Sequence, residues 1–428
     1  MRGNSAIAWL ALAVVAGCAD GPPNFHADVR PILESRCVSC HQDGAIAPFA
    51  LDTYAKVKAF GPAVKNAVST REMPPWSASP KVAYRDDISL SDEQIATVVD
   101  WIDAGMPEGD PEKPGPALPS VTTPFPGSDL ELQLPEPYTP TARPDEYRCF
   151  PLAWTATTEK FVTALTIEPE NISIVHHVAV FLLPPDNADK PYTWDAEDTT
   201  PGYECYGGPS GGRDAIPIVQ LGAWLPGQTG NIYPPGTGIR VQPGSTLVLQ
   251  MHYNVLTNDP APDQSRVLFH LEDQVEKEAW YAPFLNASWV VGQMNIPAGQ
   301  AEVSHDHRDD PRTFFDLVAG TKLPLEDGFD VHAVMFHMHQ LGTRGSVSRV
   351  QRGFFTPILE IDRWDFNWQR QYVLQEPIPI FDGDELHVEC VYDNSASNQA
   401  DGRAPADVNW GEGSSDEMCV ANLLITAR

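Results

Sequence analysis

The alternation of apolar and polar residues changes character along this chain. Between residues 25 and 110 it favours helices, and it predicts helical segments at 27–35, 52–69 and 91–104. The third segment begins with Ser-Asp-Glu-Gln, a spacing that is typical of a helix capping box. The sequence therefore predicts a small all-α domain near the N-terminal end.

From about residue 140 onward the pattern is typical of strands. Short apolar runs alternate with turn residues, and the clearest runs lie at 172–183, 246–256, 266–272, 331–340, 385–392 and 418–427. This stretch is longer than one sandwich needs. We therefore expect a mainly β chain with two jelly-roll-like β-sandwich domains, divided near residue 260. A Pro-rich segment at 109–129 is expected to join them to the helical domain as an extended tether.

Composition and charge narrow the range of functions. The chain has 428 residues, with 28 Lys and Arg against 58 Asp and Glu, and a formal net charge of -30. A surface this acidic repels phosphate backbones, so nucleic-acid binding is excluded. The 41 Pro and 31 Gly favour turn-rich β structure over helical bundles for most of the length.

The first residues have the composition of an export signal. Arg2 precedes an apolar run at 6–16, and small residues follow up to Cys18. The stretch Val15-Ala16-Gly17-Cys18 resembles a bacterial lipobox, whose cysteine becomes the lipidated first residue. We expect a lipid anchor at Cys18 and a location at the bacterial cell envelope, in the periplasm or at the outer membrane. An ordinary signal cut elsewhere would instead leave Cys18 free.

The seven cysteines divide into groups. Cys37-Val38-Ser39-Cys40-His41 has the C-x-x-C-H spacing of haem c attachment, in which both thiols bind the porphyrin and His41 ligates iron. Four cysteines remain after this motif and Cys18, and they allow three disulfide connectivities: Cys149, Cys205, Cys390 and Cys419. Pairing neighbours in sequence would keep each bridge inside one predicted domain.

The second iron ligand is expected to be Met73. It lies in Arg-Glu-Met-Pro-Pro-Trp, downstream of His41, and a thioether suits haem iron. Met106 and His26 are the rival ligands, and Met73 could also simply pack on the porphyrin. Together with the predicted helices, these residues indicate a cytochrome c domain with a haem c cofactor.

His337 and His339 are the strongest candidates for a second kind of metal site. They are two residues apart in a strand candidate, so both imidazoles lie on one face and could bind one ion. His332 has the opposite parity and is interpreted as a core residue or a residue behind the ligands. His305 and His307 have the same spacing but lie in an Asp-rich run, which favours a solvated loop.

Three further histidines are weaker candidates on pattern alone. His252 lies on one face of the run at 246–253, where a single histidine means little. His176 and His177 would point to opposite faces of a regular strand, so both could bind one ion only if a bulge or a strand end redirects one of them. The alternative is that one fills the core and the other faces solvent.

Met418 indicates which metal is expected. A soft thioether that joins His337 and His339 selects Cu(I) over Zn(II) or Mg(II), so copper is predicted. A bridge between Cys390 and Cys419 would end one residue away and hold that strand. The alternative is that Met418 is an ordinary core methionine.

Four segments, taken in order, resemble the type II copper monooxygenases that include the peptidylglycine α-hydroxylating and dopamine β-monooxygenases. The segments are His176-His177, 249–253, 337–339 and 410–419. The resemblance implies one copper held by His176, His177 and His252 and a second held by His337, His339 and Met418. It also supports the Cys149–Cys205 and Cys390–Cys419 pairings.

The chemistry that the resemblance implies is insertion of one oxygen atom from O2 into a substrate C–H bond. In this family the Met-containing copper site activates O2 and the all-His site stores and forwards an electron, and ascorbate reduces the animal members. The catalytic residues would then be His337, His339 and Met418.

Two departures from the family pattern bear on substrate and reductant. Met335 replaces the Arg with which peptide-amidating members bind a substrate carboxylate, and Val420 and Asn422 stand at the substrate-facing positions after Met418. A peptidylglycine substrate is therefore not favoured, and the substrate stays a small-molecule or peptide-like compound. The haem module suggests that an external envelope electron donor delivers electrons through haem c, and the Pro-rich tether would raise their effective concentration.

The expected limits of the parts are 1–17 for a lipoprotein signal, 18–108 for the cytochrome domain, 109–139 for the linker, and 140–262 and 263–428 for the copper domains. The leading interpretation is an exported, lipid-anchored monooxygenase with haem c and two copper ions. The alternative is a non-enzymatic haem and copper protein that transfers electrons or sequesters copper at the envelope. A structural sandwich with incidental histidines is the third interpretation.

Overall fold

The computed structural model describes residues 21–43, 45, 47–121, 123–206, 208–214, 216–225, 228, 230–255, 259–399 and 402–428. They form two compact units. The first contains residues up to Pro74 together with Leu90–Pro119, and the second contains Pro75–Ser89 and Ser120–Arg428. Within the described ranges, the helices are too short or too polar to cross a membrane.

The first unit is helical, as the pattern predicts. A π-helical turn at Phe25–Val29 leads into four α-helices: α1 Arg30–Arg36, α2 Tyr54–Ala59, α3 Gly61–Ser69 and α4 Asp92–Asp103. The predicted segment 52–69 is divided at Phe60, because Pro62 lies in the first turn of α3 and has no N–H to continue α2. The capping box at Ser91 and Gln94 is confirmed.

Part of the expected tether packs on this unit. Gly115 N donates to His26 O at 3.0 Å, and Leu118 contacts the helical core around Trp101. A Cβ at position 115 would lie 1.8 Å from Ala27 O, so this close approach requires glycine. The helical unit therefore continues through Pro119, beyond the expected limit at 108.

The second unit is mainly β, as predicted. Its strands are β1 Leu130–Gln133, β2 Asp145–Ala153, β3 Lys160–Glu168, β4 Val175–Leu183, β5 Tyr203–Glu204, β6 Val219–Trp224, β7 Asn231–Ile232, β8 Thr237–Val241, β9 Thr246–Asn254, β10 Arg266–Glu272, β11 Lys277–Phe284, β12 Asn295–Ile296, β13 Val303–Asp309, β14 Phe329–His337, β15 Gly342–Gln351, β16 Phe354–Ile361, β17 Gln371–Ile380, β18 Glu385–Tyr392, β19 Val408–Asn409 and β20 Val420–Ala427. Its helices are α5 Lys190–Glu197 and α6 Arg312–Ala319, with single helical turns at Pro185–Asn187, Trp289–Gln293 and Ala396–Asn398.

One long sheet serves two sandwiches. The nine-stranded sheet has the order β1-β10-β3-β8-β11-β20-β14-β17, with β7 paired to β3. A five-stranded sheet, β5-β2-β9-β4-β6, covers one hydrophobic core, and a four-stranded sheet, β13-β18-β15-β16, covers the other. β11 joins the two halves, because it pairs parallel to β8 and antiparallel to β20. The two expected sandwiches are therefore continuous through a shared sheet, which is joined where β8 pairs with β11.

Residues 75–89 lie in the second unit, although sequence reasoning expected them in the cytochrome domain. Ala78 pairs with Ile361 of β16 and Tyr84 with Leu374 of β17, so this segment connects the edge strands of two sheets. Tyr84 is 4% exposed, and its hydroxyl donates to Ile358 O at 3.0 Å. Burial of this apolar segment against open sheet edges explains why it leaves the helical unit.

Candidate metal centre

The first histidine cluster forms where β4 and β9 pair. Val175 is opposite Tyr253 and His177 is opposite His252, so His176 is an extra residue in a β-bulge. This is the irregularity that adjacent ligands require, because it turns His176 away from the alternation of a regular strand. His176, His177 and His252 are the one group of three or more His, Cys, Asp or Glu with metal-ligand spacing in the described part of the chain.

The nitrogen atoms of this cluster have a separation that fits one ion. His177 Nδ1 lies 3.3 Å from His176 Nδ1 and 3.3 Å from His252 Nδ1. Two nitrogens bound to one ion at about 2.0–2.1 Å and near-tetrahedral angles are about 3.3 Å apart. The three residues can therefore hold a metal with little rearrangement.

Asp145 and Tyr147 of β2 fix the orientation of His252. Asp145 Oδ1 accepts a hydrogen bond from His252 Nε2 at 2.9 Å, which leaves Nδ1 for a metal, and Tyr147 stacks on the same ring at 4.1 Å. Burial alone would raise the pKa of Asp145, but hydrogen bonds from His252 and Ser414 outweigh burial and lower this pKa to about 2. The carboxylate is therefore charged at neutral pH.

The second cluster contains His337, at the end of β14, and His339. Their Nε2 atoms are 3.2 Å apart, which again fits two ligands of one ion. His337 Nδ1 donates to Gln369 Oε1 at 2.6 Å, and His339 Nδ1 donates to Asp416 O at 3.1 Å. Because each Nδ1 carries the proton, each Nε2 has a free lone pair for a metal.

Glu417 holds the second cluster and the Met418 segment together. It is fully buried, and its carboxylate accepts the backbone N–H groups of His339 at 2.8 Å, Leu341 at 2.6 Å and Met418 at 3.3 Å. Met418 is 7% exposed, and its carbonyl accepts the Tyr392 hydroxyl at 2.7 Å. The predicted thioether ligand therefore belongs to a segment that is tied directly to the backbone of His339.

Both clusters contain neutral imidazoles. Burial lowers the pKa of His176 to about 3 and the pKa values of His177 and His339 well below their usual range, and it also lowers that of His337. A neutral imidazole is the form that binds metals. Phe366 lies between the clusters, stacked on His176 at 4.8 Å and edge-on to His339 at 6.0 Å.

The other histidines of the second unit have structural contacts. The loop expected at His305 and His307 is wrong, because both lie in β13, paired with β18, and their rings contact Trp289. His332 is the extra residue of a bulge in β14, and its Nε2 is 2.9 Å from Thr426 Oγ1. Packing against Trp289 allows the Asp-rich run to form a strand.

Both disulfides predicted in the second unit are present. Cys149 bonds to Cys205 and Cys390 to Cys419. The first bridge links β2, which carries Asp145, to the segment after β5. The second links β18 to the residue that follows Met418.

The residues predicted to bind haem lie in the first unit. Cys37 and Cys40 are not in a disulfide, and burial raises the pKa of Cys37 to about 12. His41 Nδ1 donates to Phe49 O at 3.0 Å, which leaves Nε2 as a ligand atom, and Met73 is half-buried. This donor set fits haem c attachment. Cys18 lies outside the described residues.

Several residues of the site were not identified from the sequence. Asp145, Gln369 and Glu417 orient the imidazoles, and Phe366 separates the two clusters. Glu417 stands at the end of a polar loop, directly before the apolar run at 418–427, and its position next to Met418 was the one signal for it. Gln369 lies in a turn remote in sequence, and no local pattern indicates it.

Comparison with known proteins adds the family context. Residues 290–425 match the family model described as copper type II ascorbate-dependent monooxygenase, C-terminal domain. This segment includes His337, His339 and Met418, so the C-terminal part of the chain is similar to copper monooxygenases and copper is the metal that this similarity supports. The family includes oxidoreductases that use O2 as a co-substrate.

The whole proteins to which this chain is similar are also named as monooxygenases. DBH-like monooxygenase protein 1 is 26% identical over 270 residues in Gallus gallus and 27% identical over 272 residues in Mus musculus. Each match covers 61% of this chain and 41% of the relative, so the chain spans about two fifths of the length of these curated relatives. A solved structure of the infectious bursal disease virus VP2 subviral particle aligns at a TM-score of 0.17 and 7% identity, over 72% of this chain and 74% of that one.

Proposed function

We propose that the chain is an exported copper-dependent monooxygenase that hydroxylates a substrate C–H bond with O2 and receives electrons through haem c in its helical unit. The observation that carries the proposal is the pair of histidine clusters, each with ring nitrogens 3.2–3.3 Å apart. The second cluster lies inside the segment that matches the copper monooxygenase domain.

The residues have distinct roles in this proposal. His176, His177 and His252 would hold one copper, and His337, His339 and Met418 the other. Copper, when bound, would supply O2 activation at the Met-containing site and electron storage at the all-His site. Gln369 and the Asp416 carbonyl hold the protons of His337 and His339 at Nδ1, which keeps both Nε2 atoms available.

Delivery of electrons is proposed through the first unit. Cys37 and Cys40 would attach the porphyrin, and His41 and Met73 would ligate the iron. Haem supplies one-electron transfer when bound. The hydrogen bond from His41 Nδ1 to Phe49 O supports the proposal, because it fixes the ring with Nε2 free.

Export and anchoring complete the proposal. Residues 1–17 would direct the chain to the bacterial envelope, and Cys18 would be lipidated. The two disulfides of the second unit are consistent with an oxidising compartment. On protein matured in a host that attaches haem c, we expect two copper ions per iron by elemental analysis.

The test of the proposed function is Met418→Ile. Replacing the thioether by a hydrocarbon of similar size removes a soft ligand, so hydroxylation should fall by at least about 100-fold while the haem spectrum is unchanged. Activity is measured as incorporation of oxygen-18 from labelled O2 into small molecules extracted from the host, with ascorbate as reductant. The matched control is Met294→Ile, which alters a buried methionine outside both clusters.

Full activity of Met418→Ile would refute the assignment of the site. A protein that binds two coppers but never incorporates labelled oxygen would instead support the second candidate, a non-enzymatic electron-transfer or copper-sequestering protein. The residue that favours this candidate is Met335, because it replaces the Arg with which peptide-amidating members bind their substrate. Substrate-dependent O2 uptake separates the two functions.

A further inference from the structure

One carboxylate connects the two proposed metal sites. Oδ1 of Asp145 accepts hydrogen bonds from His252 Nε2 at 2.9 Å and Asn254 Nδ2 at 2.8 Å. Its other oxygen, Oδ2, accepts a hydrogen bond from Ser414 Oγ, in the loop that precedes Met418. We propose that Asp145 is a positioning residue that couples copper binding at the two sites. The inference rests on the proposed function for the identity of the metal.

The connection is shielded from water. His252 is 0% exposed, Ser414 is 6% exposed and the Asp145 side chain is 8% exposed. Hydrogen bonds to a charged group are stronger in such surroundings than at a wet surface. A displacement of the Ser414 hydroxyl therefore changes the hydrogen bonding of the carboxylate that orients His252, because a side chain with 8% exposure has little access to solvent that could replace the lost donor.

The loop that contains Ser414 also contacts His339, so the positions of the two residues depend on each other. Gly413 N donates to Asp416 Oδ2 at 3.1 Å, and Asp416 N donates back to Gly413 O at 2.8 Å, which closes a tight turn around Ser414. A Cβ at Gly411 would lie 2.3 Å from the Asp416 carboxylate, so the turn is closely packed. Asp416 O then accepts His339 Nδ1–H at 3.1 Å.

A continuous chain of hydrogen bonds and closely packed backbone therefore joins His252 to His339 through Asp145 and Ser414. An ion at one end fixes the imidazole there and restrains the hydrogen-bonded residues between the two sites. The second ion then binds to residues that are already oriented. Linkage requires that the effect be equal in both directions. Copper at the second site should therefore strengthen copper binding at the first.

The experiment compares the full-length protein with three variants: His339→Ala, Ser414→Ala and the double variant. Cu(II) itself is the probe, and the dissociation constant of the His176, His177 and His252 site is measured by competition with a chelator, with electron paramagnetic resonance to identify the site. His339→Ala in the wild-type background should weaken the first site by about 5-fold or more. In the Ser414→Ala background the same change should alter it by less than about 2-fold.

Two controls separate coupling from a general loss of stability. Ser265→Ala removes a similar buried hydrogen bond, from Ser265 Oγ to Asp263, elsewhere in the same unit, and it should leave the coupling intact. Ser414→Thr retains a hydroxyl and should restore the coupling.

Asp145→Asn should change the hyperfine splitting of the first-site Cu(II) signal, because a neutral amide is a weaker acceptor for His252.

An effect of His339→Ala that is the same with and without the Ser414 hydroxyl would overturn the inference, as would no effect in either background. The measurement uses no substrate and no turnover. An active monooxygenase without coupling would therefore refute this inference alone, whereas a protein that couples its sites but incorporates no oxygen would refute the proposed function alone.

Discussion

Each imidazole of the second site is oriented by one acceptor. His337 gives its Nδ1 proton to Gln369, and His339 gives its own to the carbonyl of Asp416. Such partners set the tautomer and the direction of the lone pair, and their loss typically weakens metal binding 10–100-fold. Gln369 is only 4% exposed, and its own Nε2 donates to Phe366 O at 3.1 Å, so the amide cannot rotate freely.

The pKa shifts of the buried histidines predict how stability depends on pH. Burial lowers the pKa of His332 to about 4 and that of His176 to about 3. The unfolded chain therefore binds these protons from about pH 6.5 downward while the folded chain does not, so the free energy of unfolding should fall as pH falls from 7 to 4. His332→Gln removes one such group and should reduce the slope by up to about 1.4 kcal/mol per pH unit.

The measurement is denaturant unfolding of the copper-free protein at pH 7, 6 and 5. His332 is suited to this test because it contacts Thr426 and is not one of the proposed ligands. Equal slopes for the wild type and His332→Gln would show that His332 is protonated in the folded protein, contrary to its burial.

At the scale of elements, the bulge at His176 shows what the sequence determined and what it left open. The adjacency of His176 and His177 already required an irregular strand if both were ligands, and the pairing of β4 with β9 has that irregularity. The residues that orient the ligands come from β2 and from loops far away in sequence. Their positions depend on tertiary packing, which no local pattern encodes.

The strand that contains His305 and His307 was not predicted from the sequence. Acidic neighbours indicated a loop, but pairing with β18 and packing on Trp289 and Phe284 stabilise an edge strand. The charged side chains at alternate positions then face outward and discourage pairing with other chains. Strand propensity here is decided by the partner strand rather than by the residues themselves.

The two disulfides predict site-specific effects. The Cys390–Cys419 bridge closes a separation of 29 residues beside Met418, and Cys149–Cys205 closes one of 56 residues beside the Asp145 strand. Replacing either pair by serine should lower the free energy of unfolding by about 3–4 kcal/mol. The Cys390→Ser/Cys419→Ser variant should lose copper mainly from the second site, and Cys149→Ser/Cys205→Ser mainly from the first.

Each variant is the control for the other, and the measurement is denaturant unfolding together with copper stoichiometry by electron paramagnetic resonance. Equal loss of copper from both sites in both variants would mean that the bridges stabilise the unit as a whole and do not hold individual metal segments.

At the scale of the whole molecule, the chain alternates between its two compact units. It leaves the helical unit after Pro74, adds Pro75–Ser89 to the β unit, returns for Leu90–Pro119, and then completes the β unit. The sequence indicated a helical part followed by a β part, because local periodicity reports element type. It does not report which unit an irregular segment packs against, so the placement of 75–89 could not be predicted. The shared sheet could not be predicted for the same reason, because the parallel pairing of β8 with β11 joins strands that are distant in sequence.

Because Pro75–Ser89 belongs to the β unit, a single cut between Pro119 and Ser120 should not separate the N-terminal fragment from the C-terminal fragment. Ser79 N donates to Glu360 O at 2.8 Å and Arg85 N to Val373 O at 2.7 Å, and Tyr84 is buried beneath them. After cleavage at a specific protease site inserted between Pro119 and Ser120, the fragments should co-elute in native buffer and separate in urea. Tyr84→Ala removes a buried aromatic ring, at a cost of about 3–5 kcal/mol, and should lower the urea concentration at which they separate. Tyr54→Ala, in the helical unit, is the matched control and should leave that concentration unchanged. Separation of the wild-type fragments in native buffer would show that Pro75–Ser89 is not an integral part of the β unit.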